Sequence, residues 1–372
     1  MPTKNIMRVL AAAGFIVLCM TLVLLSGAAD HKEEPPAIGL VMLGSKDDPG
    51  WFKNSYIGMR DTCKSMGSML YTAEFIDPND DDMVMNAISD LHKKGAKAIF
   101  FNAHGYGRLV DRFRAEYPDT TFFILDTGND GANVKSYALR LYQIRYLEGM
   151  AAGLNTKSGH IGYVSAARIS DTINGINAFM LGVRRTNPSA DVIVSFEELA
   201  IAKHPDLKRS NEAAKNAAID LIVKKGVDVL ASNRENDIII DVAREYGVYA
   251  VASYPDHEES DLIIAESNYD WNGIYSALIK EYERAFGRDS FYLYDMERGS
   301  MDFKMPSSQV TDKERAIVMQ AAEELRNGFE PFSGEIKDTD GNIRCKKGEY
   351  ISDRKLRQSI DWYVEGVKIY AP

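Results

Sequence analysis

The residues best suited to chemistry in this chain stand where apolar runs end. Asp48 and Trp51 follow Ile38–Leu43, Asn102, His104 and Tyr106 follow Ala98–Phe101, and Asp126 follows Thr121–Leu125. A second series repeats the arrangement. Asn174 comes after His160–Val164, Phe196 closes Val192–Phe196, Asn233 comes after Val227–Leu230, and Tyr254 and Asp256 come after Tyr249–Ser253. Flat aromatics grip a planar ring by offset stacking, while carboxylates and amides read its polar edge. Two such rows facing each other would line a cleft for a small planar molecule. Taken singly, each residue has a plainer alternative: Trp51 and Phe196 as core aromatics, the carboxylates as helix caps.

Enzyme signatures are missing. The chain has no Gly-x-Ser-x-Gly elbow, no Gly-x-x-x-x-Gly-Lys-Ser/Thr phosphate loop and no His-Glu-x-x-His pair. Its six histidines are scattered, and none shares ligand spacing with another His or Cys. Gly105-Tyr106-Gly107 resembles the start of a dinucleotide fingerprint, but Val110 stands where the third glycine belongs. The expectation is binding without catalysis, with no cofactor and no metal.

Loops of this kind need a scaffold of strands and helices in alternation, and the chain supplies one. Ile38–Leu43, Leu70–Ile76, Ala98–Phe101, Thr121–Leu125 and Val134–Leu139 read as strands, separated by helical patterns near 55–66, 83–94 and 108–116. After a helix over Gln143–Leu154, the strand candidates His160–Val164, Val192–Phe196, Val227–Leu230, Tyr249–Ser253 and Leu262–Ser267 alternate with helices over 173–186, 211–225 and 238–246. Alternation on this scale predicts parallel sheets with right-handed crossovers, hence an α/β chain of two doubly wound lobes joined by a hinge. The lobes are expected at 36–156 with 270–300, and at 157–269 with 301–372. Beyond the helix Trp271–Phe286 the pattern loosens. Thr311 and Glu314 form a capping box for a helix to Asn327, and a hairpin turns at Asp340-Gly341.

The leading segment stands apart. Lys4 and Arg8 precede an apolar run from Val9 to Leu25, then Ser26-Gly27-Ala28-Ala29, the build of an export signal over 1–29. The alternative is an anchor that stays in place. Removing the segment takes two basic residues and no acid, so a net charge of -10 becomes -12. That acidity argues against nucleic acid and anionic lipid as partners. Cys63 and Cys345, the two cysteines outside the segment, fall in different expected lobes and are expected not to pair. No sequence feature calls for an oligomer, so a monomer is expected.

From about Ile38 onward the chain resembles the basic membrane protein family, the PnrA-like substrate-binding proteins of ABC transporters. The likeness rests on Asp48-Pro49-Gly50-Trp51 with Tyr56-Ile57-Gly58, on His104-Gly105-Tyr106, and on Tyr146–Gly153. Gly159–Val164, Asn174–Phe179, Gly226–Leu230 and the tail Ile360–Val367 extend it. The resemblance implies the type I periplasmic-binding fold, with a purine nucleobase or nucleoside held between the lobes and handed to a membrane permease. It implies that Asp48 hydrogen-bonds the base, that Trp51 stacks on it, and that Phe196 opposes Trp51. A sensor reporting ligand occupancy to a membrane receptor would use the same closed form. The chain departs from the family at three points. Ala252-Ser253-Tyr254 replaces the Gly-x-Asp of members that hold a ribose, which shifts the expectation toward a free base unless Asp256 takes over. Phe52 stands in place of Asn, and His104 in place of Phe.

Overall fold

The first sheet is built from strands whose side chains are apolar on both faces. In the computed structural model, β1 (Ala37–Val41), β2 (Leu70–Ala73), β3 (Ala96–Phe101), β4 (Thr121–Leu125), β5 (Val134–Leu139) and β11 (Phe291–Tyr294) pair in the order β11-β5-β4-β3-β1-β2, all parallel. The structure describes residues 36–125, 131, 133–165, 168–196, 207–234, 236–254, 257–283, 291–358 and 360–371; the expected export segment lies outside them. Along β3, Ala98 and Phe100 join one core and Ile99 and Phe101 another. That period of two, with both faces covered, is what a buried parallel strand requires. Helix α1 (Trp51–Met66) packs with the later α8 (Trp271–Glu283), while α2 (Asp81–Lys93) and α3 (Val110–Glu116) bring Val84, Ile88, Leu91 and Phe113 to the second core. Helix α2 begins where the Asp80 carboxylate accepts from Met83 N at 3.0 Å, and α1 stops at Gly67, whose φ of 74° only glycine adopts readily.

The second sheet repeats the scheme. Its strands β6 (His160–Ser165), β7 (Asp191–Phe196), β8 (Val229–Ser232), β9 (Tyr249–Ser253), β10 (Ile263–Tyr269), β12 (Met301–Lys304) and β15 (Val367–Tyr370) run β12-β10-β9-β8-β6-β7-β15, with β12 antiparallel. Helices α6 (Leu207–Lys225) and α7 (Ile238–Tyr246) cover one face; α4 (Leu141–Asn155) and α5 (Ser170–Thr186) cover the other. In both sheets the first strand lies between the second and third, so crossovers leave β1 and β3, and likewise β6 and β8, in opposite directions. Such a switch point opens a crevice at the carboxyl ends of the strands.

Residues Pro36–Pro372 form one compact unit. The chain crosses between sheets after β5, after β10 and after β11. Helix α4, grouped by its sequence position with the first lobe, packs against α5 and β10 of the second sheet. The Thr311–Glu314 capping box opens α9 (Asp312–Arg326), and β13 (Ile336–Lys337) pairs antiparallel with β14 (Ile343–Cys345). Strands β11, β12 and β15 and helix α10 (Asp353–Gln358) go beyond the sequence expectation, because four to six residues are too few to show a period. Cys63 in α1 and Cys345 in β14 are buried and free.

Helices α4 and α5 touch main chain to main chain. A Cβ on Gly149 would lie 2.0 Å from Phe179 O, and one on Gly182 would lie 1.9 Å from Tyr146 O. Gly149→Ala and Gly182→Ala are each expected to lower unfolding stability by roughly 1–3 kcal/mol through overpacking. Urea unfolding measures this, and a double variant less destabilised than the sum would show that the same helix separation relieves both.

Candidate functional site

The loop after β1 places Trp51. Pro49-Gly50 turns the chain, with Gly50 at a φ of 85°, so that Trp51 is the first residue of α1. The loop is tied by carboxylates. Asp48 Oδ2 accepts from Ser45 N at 2.6 Å, and Glu74 accepts from Ser45 Oγ, Lys46 N and Lys46 Nζ. Asp48 thus serves its own loop here and does not line the cleft.

Trp51 is half-buried and held on several sides. Its Nε1 donates to Asn102 O at 2.6 Å, and its ring meets Trp271 edge-on at 4.6 Å between centroids and Tyr269 at 6.1 Å. Asn102 is buried and is fixed in turn, its Nδ2 donating to Ser55 Oγ at 3.0 Å, which pairs with Tyr275 OH at 2.7 Å. Tyr254 closes the aromatic group from the second sheet. It is buried, sits at a φ of 71°, packs edge-on against Tyr269 and accepts from Trp271 Nε1 at 3.4 Å. A left-handed tyrosine is a strained backbone, and here the aromatic cluster holds it.

Beside Trp51 opens a cleft of about 610 Å³, counting the space that faces solvent. Three of the sequence candidates line it: Trp51, His104 and Asn174. Four charged residues join them that the sequence did not single out, namely Arg140, Asp171, Asp353 and Arg357. His104, after β3, bridges to Asp171 at the start of α5, Nε2 to Oδ2 being 2.9 Å, and so links the two sheets across the cleft. The Ser170-Asp171 pair is a helix-start signal that could have moved the expected start of α5 from Ile173 to Ser170. Nothing in the sequence separates Arg140 or Arg357 from surface arginines.

Arg140 gathers the acids of the hinge. It contacts Asp353 through Nε at 3.2 Å and Nη2 at 2.7 Å, Glu330 at 3.0 Å and Asp295 at 3.5 Å, and Tyr142 OH donates to Glu330 and Asp353. Burial alone would lower the guanidinium's pKa, but Asp353 and Glu330 raise it. Burial pushes the Glu330 carboxyl up against the pull of Arg140. Arg140→Leu is expected to cost roughly 3 kcal/mol at pH 7, because buried acids lose their cation. The Glu330 carboxyl, already pushed up by burial, then sits higher still in the folded than in the unfolded chain, so the folded state binds more protons and part of the loss returns as pH falls toward 5. Urea midpoints at pH 7 and pH 5 test it; an equal deficit at both would mean that the acids do not depend on Arg140.

The remaining candidates stand elsewhere. Tyr106 is drawn into the outer core of the first sheet, where its phenol donates to Ile76 O at 2.5 Å, because its short helical turn faces that core. Phe196 is buried at the end of β7 with the Arg168 guanidinium 4.5 Å above its ring, on a face that a base would need. Asn233 ties β8 to α5 through Thr172 Oγ1 at 3.3 Å. Asp126 and Asp256 lie outside the described residues. Behind the cleft, Arg145 and Glu148 of α4 form a buried pair at 2.8 Å that reaches Ser253 and Ser267 at the ends of β9 and β10.

Residues 36–277 match the family model described as ABC transporter substrate-binding protein, PnrA-like. A purine-binding protein of Brucella abortus is 24% identical over 92% of this chain and 95% of its own length. Among solved structures, a transcriptional activator of the comK gene from Bacillus halodurans superposes with a TM-score of 0.66 at 18% identity, over 78% of this chain and 98% of that one. An ABC transporter solute-binding protein from Conexibacter woesei gives 0.61 at 17% identity, over 79% and 97%. The fold is that of the type I periplasmic-binding proteins.

Proposed function

We propose, since this chain belongs to the PnrA-like substrate-binding proteins of ABC transporters, that it captures a purine in the cleft beside Trp51 and delivers it to a membrane permease. The observation that carries this reading is Trp51 itself. It is a half-buried indole at a switch point, braced by Asn102 and Trp271, on the wall of a cleft that closure would shape around a ligand. A purine-binding relative aligned over nearly the whole chain supports the ligand class.

In this reading the ligand is a free base in preference to a nucleoside. Tyr254 occupies the position where ribose-holding members carry an acid, and its hydroxyl is taken up by Trp271. The two sheets with their helices are the moving bodies, α4 travelling with the second. Closure brings the rows of loop residues together and shifts an open–closed equilibrium that the permease reads. Asp48 and Phe196 join the ligand on closure, once Arg168 leaves the Phe196 face. The protein acts outside the cytoplasmic membrane, exported by its leading segment, as a monomer and without converting its ligand.

Calorimetric titration with adenine, hypoxanthine, adenosine and guanosine tests the reading. Saturable one-site binding of a base is the expected result, and no heat with any of the four would overturn the ligand class. Trp51→Ala is expected to weaken binding by about 1–3 kcal/mol, the scale of a lost base–aromatic stack. Unchanged affinity would take Trp51 out of the site.

A further inference from the structure

Two kinds of charged contact reach across the cleft from one lobe to the other. Beside the crossings, Arg140 after β5 holds Asp353, and the Arg357 guanidinium lies 4.2 Å from the centroid of the Phe291 ring of β11. Helix α10 carries Asp353 and Arg357 and is tied to α5 by the Asn174–Leu356 bond, so it belongs with the second lobe. Rotation about the hinge moves these groups little, because they sit close to its axis. The other kind is the His104–Asp171 pair, Nε2 to Oδ2 at 2.9 Å. His104 follows β3, which lies two strands in from β5, where the chain first crosses. With neighbouring strands about 4.8 Å apart, the pair stands roughly 10 Å farther from that crossing, and opening pulls it apart first. The aromatic contacts Trp51–Tyr269 and Trp271–Tyr254 also cross between lobes, but they carry no charge.

The pair is open to solvent, its side chains being 46% and 38% exposed. Asp171 lies in the first turn of α5, where the helix N-terminus favours a carboxylate, and Arg357 of α10 is near enough to feel its charge. The other charged groups on this wall, Arg140 and Asp353, hold each other. Arg108, on the turn that follows His104, is drawn away to Asp81 and Pro78 O. The group placed to change charge is the histidine, the side chain whose ordinary titration falls between pH 5 and 8. Protonated, it meets Asp171 as an ion pair; neutral, it offers a hydrogen bond and no charge.

We infer that His104 and Asp171 are a latch, which holds the two lobes together in the ligand-free protein and loosens as pH rises from 5.5 to 8. The sign follows from charge. A proton on His104 is favoured with the lobes together, where Asp171 faces it, over the lobes apart, where water does. Acid therefore favours the latched form, and loss of the proton favours opening. This gives His104 a task other than contact with the ligand, and it stands whatever the ligand is.

The test is the lobe separation of the full mature chain without ligand, read by electron spin–spin distances between labels at Lys93→Cys in α2 and Val223→Cys in α6. Both positions are exposed, and Cys63 and Cys345 are buried. With the latch intact, the ratio of latched to open molecules is expected to fall roughly two- to fivefold between pH 5.5 and 8, the scale of a half-exposed pair. His104→Ala is expected to shift toward open at pH 5.5 and to give a flat profile. His104→Gln, which keeps a donor without a charge, is expected to be flat at an intermediate ratio. At pH 5.5, Asp171→Ala is expected to change the ratio less in the His104→Ala background than alone. Distances that do not move with pH while His104 is present overturn the inference. So does a pH response that survives in His104→Ala, or full additivity of the two alanine variants, each first shown by circular dichroism to be folded.

Discussion

Helices α4 and α5 meet with backbone against backbone, and the cleft wall is hung on that contact. Gly149 and Gly182 leave no room for a side chain between them, while Thr186 Oγ1 reaches across to Met150 O at 3.0 Å. The start of α4 lies next to Arg140, and the start of α5 carries Asp171 and Asn174. Fixing the two helices to each other fixes those polar groups relative to one another. Helix α10 then rests on α5 through the Asn174–Leu356 bond. A wall assembled from three non-consecutive segments can keep sub-ångström order only if such a contact is rigid, since packed interiors deform little.

Charge is handled differently on the two sides of this contact. At the hinge one arginine, Arg140, faces three carboxylates, an excess of acid that burial makes costly and that Tyr142 relieves by donating hydrogen bonds to two of them. Inside the second lobe, Arg145 and Glu148 pair one to one from the same helix, and Ser253 and Ser267 complete their bonding. The first arrangement sits where the chain crosses between sheets, with several acids sharing one cation. The second lies within one lobe, where burial demands that each charge keep its partner.

Much of the scaffold was legible because burial leaves a period. The strands around Phe100, Phe123, Tyr163 and Val194 show it, and the Thr311–Glu314 box marked its helix. The site was less legible. Trp51 and Asn174 follow from their place after strands, but a residue's position in a loop does not say which way it turns. Tyr106 shares that position with His104, yet one enters the core and the other crosses to Asp171. Arg357 was invisible for another reason. Its place on the cleft wall depends on Phe291 and Leu356, brought together by a tail whose short elements carry no pattern of their own.

The last strand has a consequence for how the molecule is made. Residues Val367–Tyr370 pair with Val192–Ser195 at the edge of the second sheet, so β7 keeps an open edge until a segment far along the chain reaches it. The same holds for the Asp338–Val364 bridge that anchors the hairpin. A sheet that waits for its outermost strand cannot lock early, and pairings this distant in sequence form slowly. That delay leaves the β7 edge open, able to accept a strand from elsewhere, for as long as Val367–Tyr370 stays unpaired.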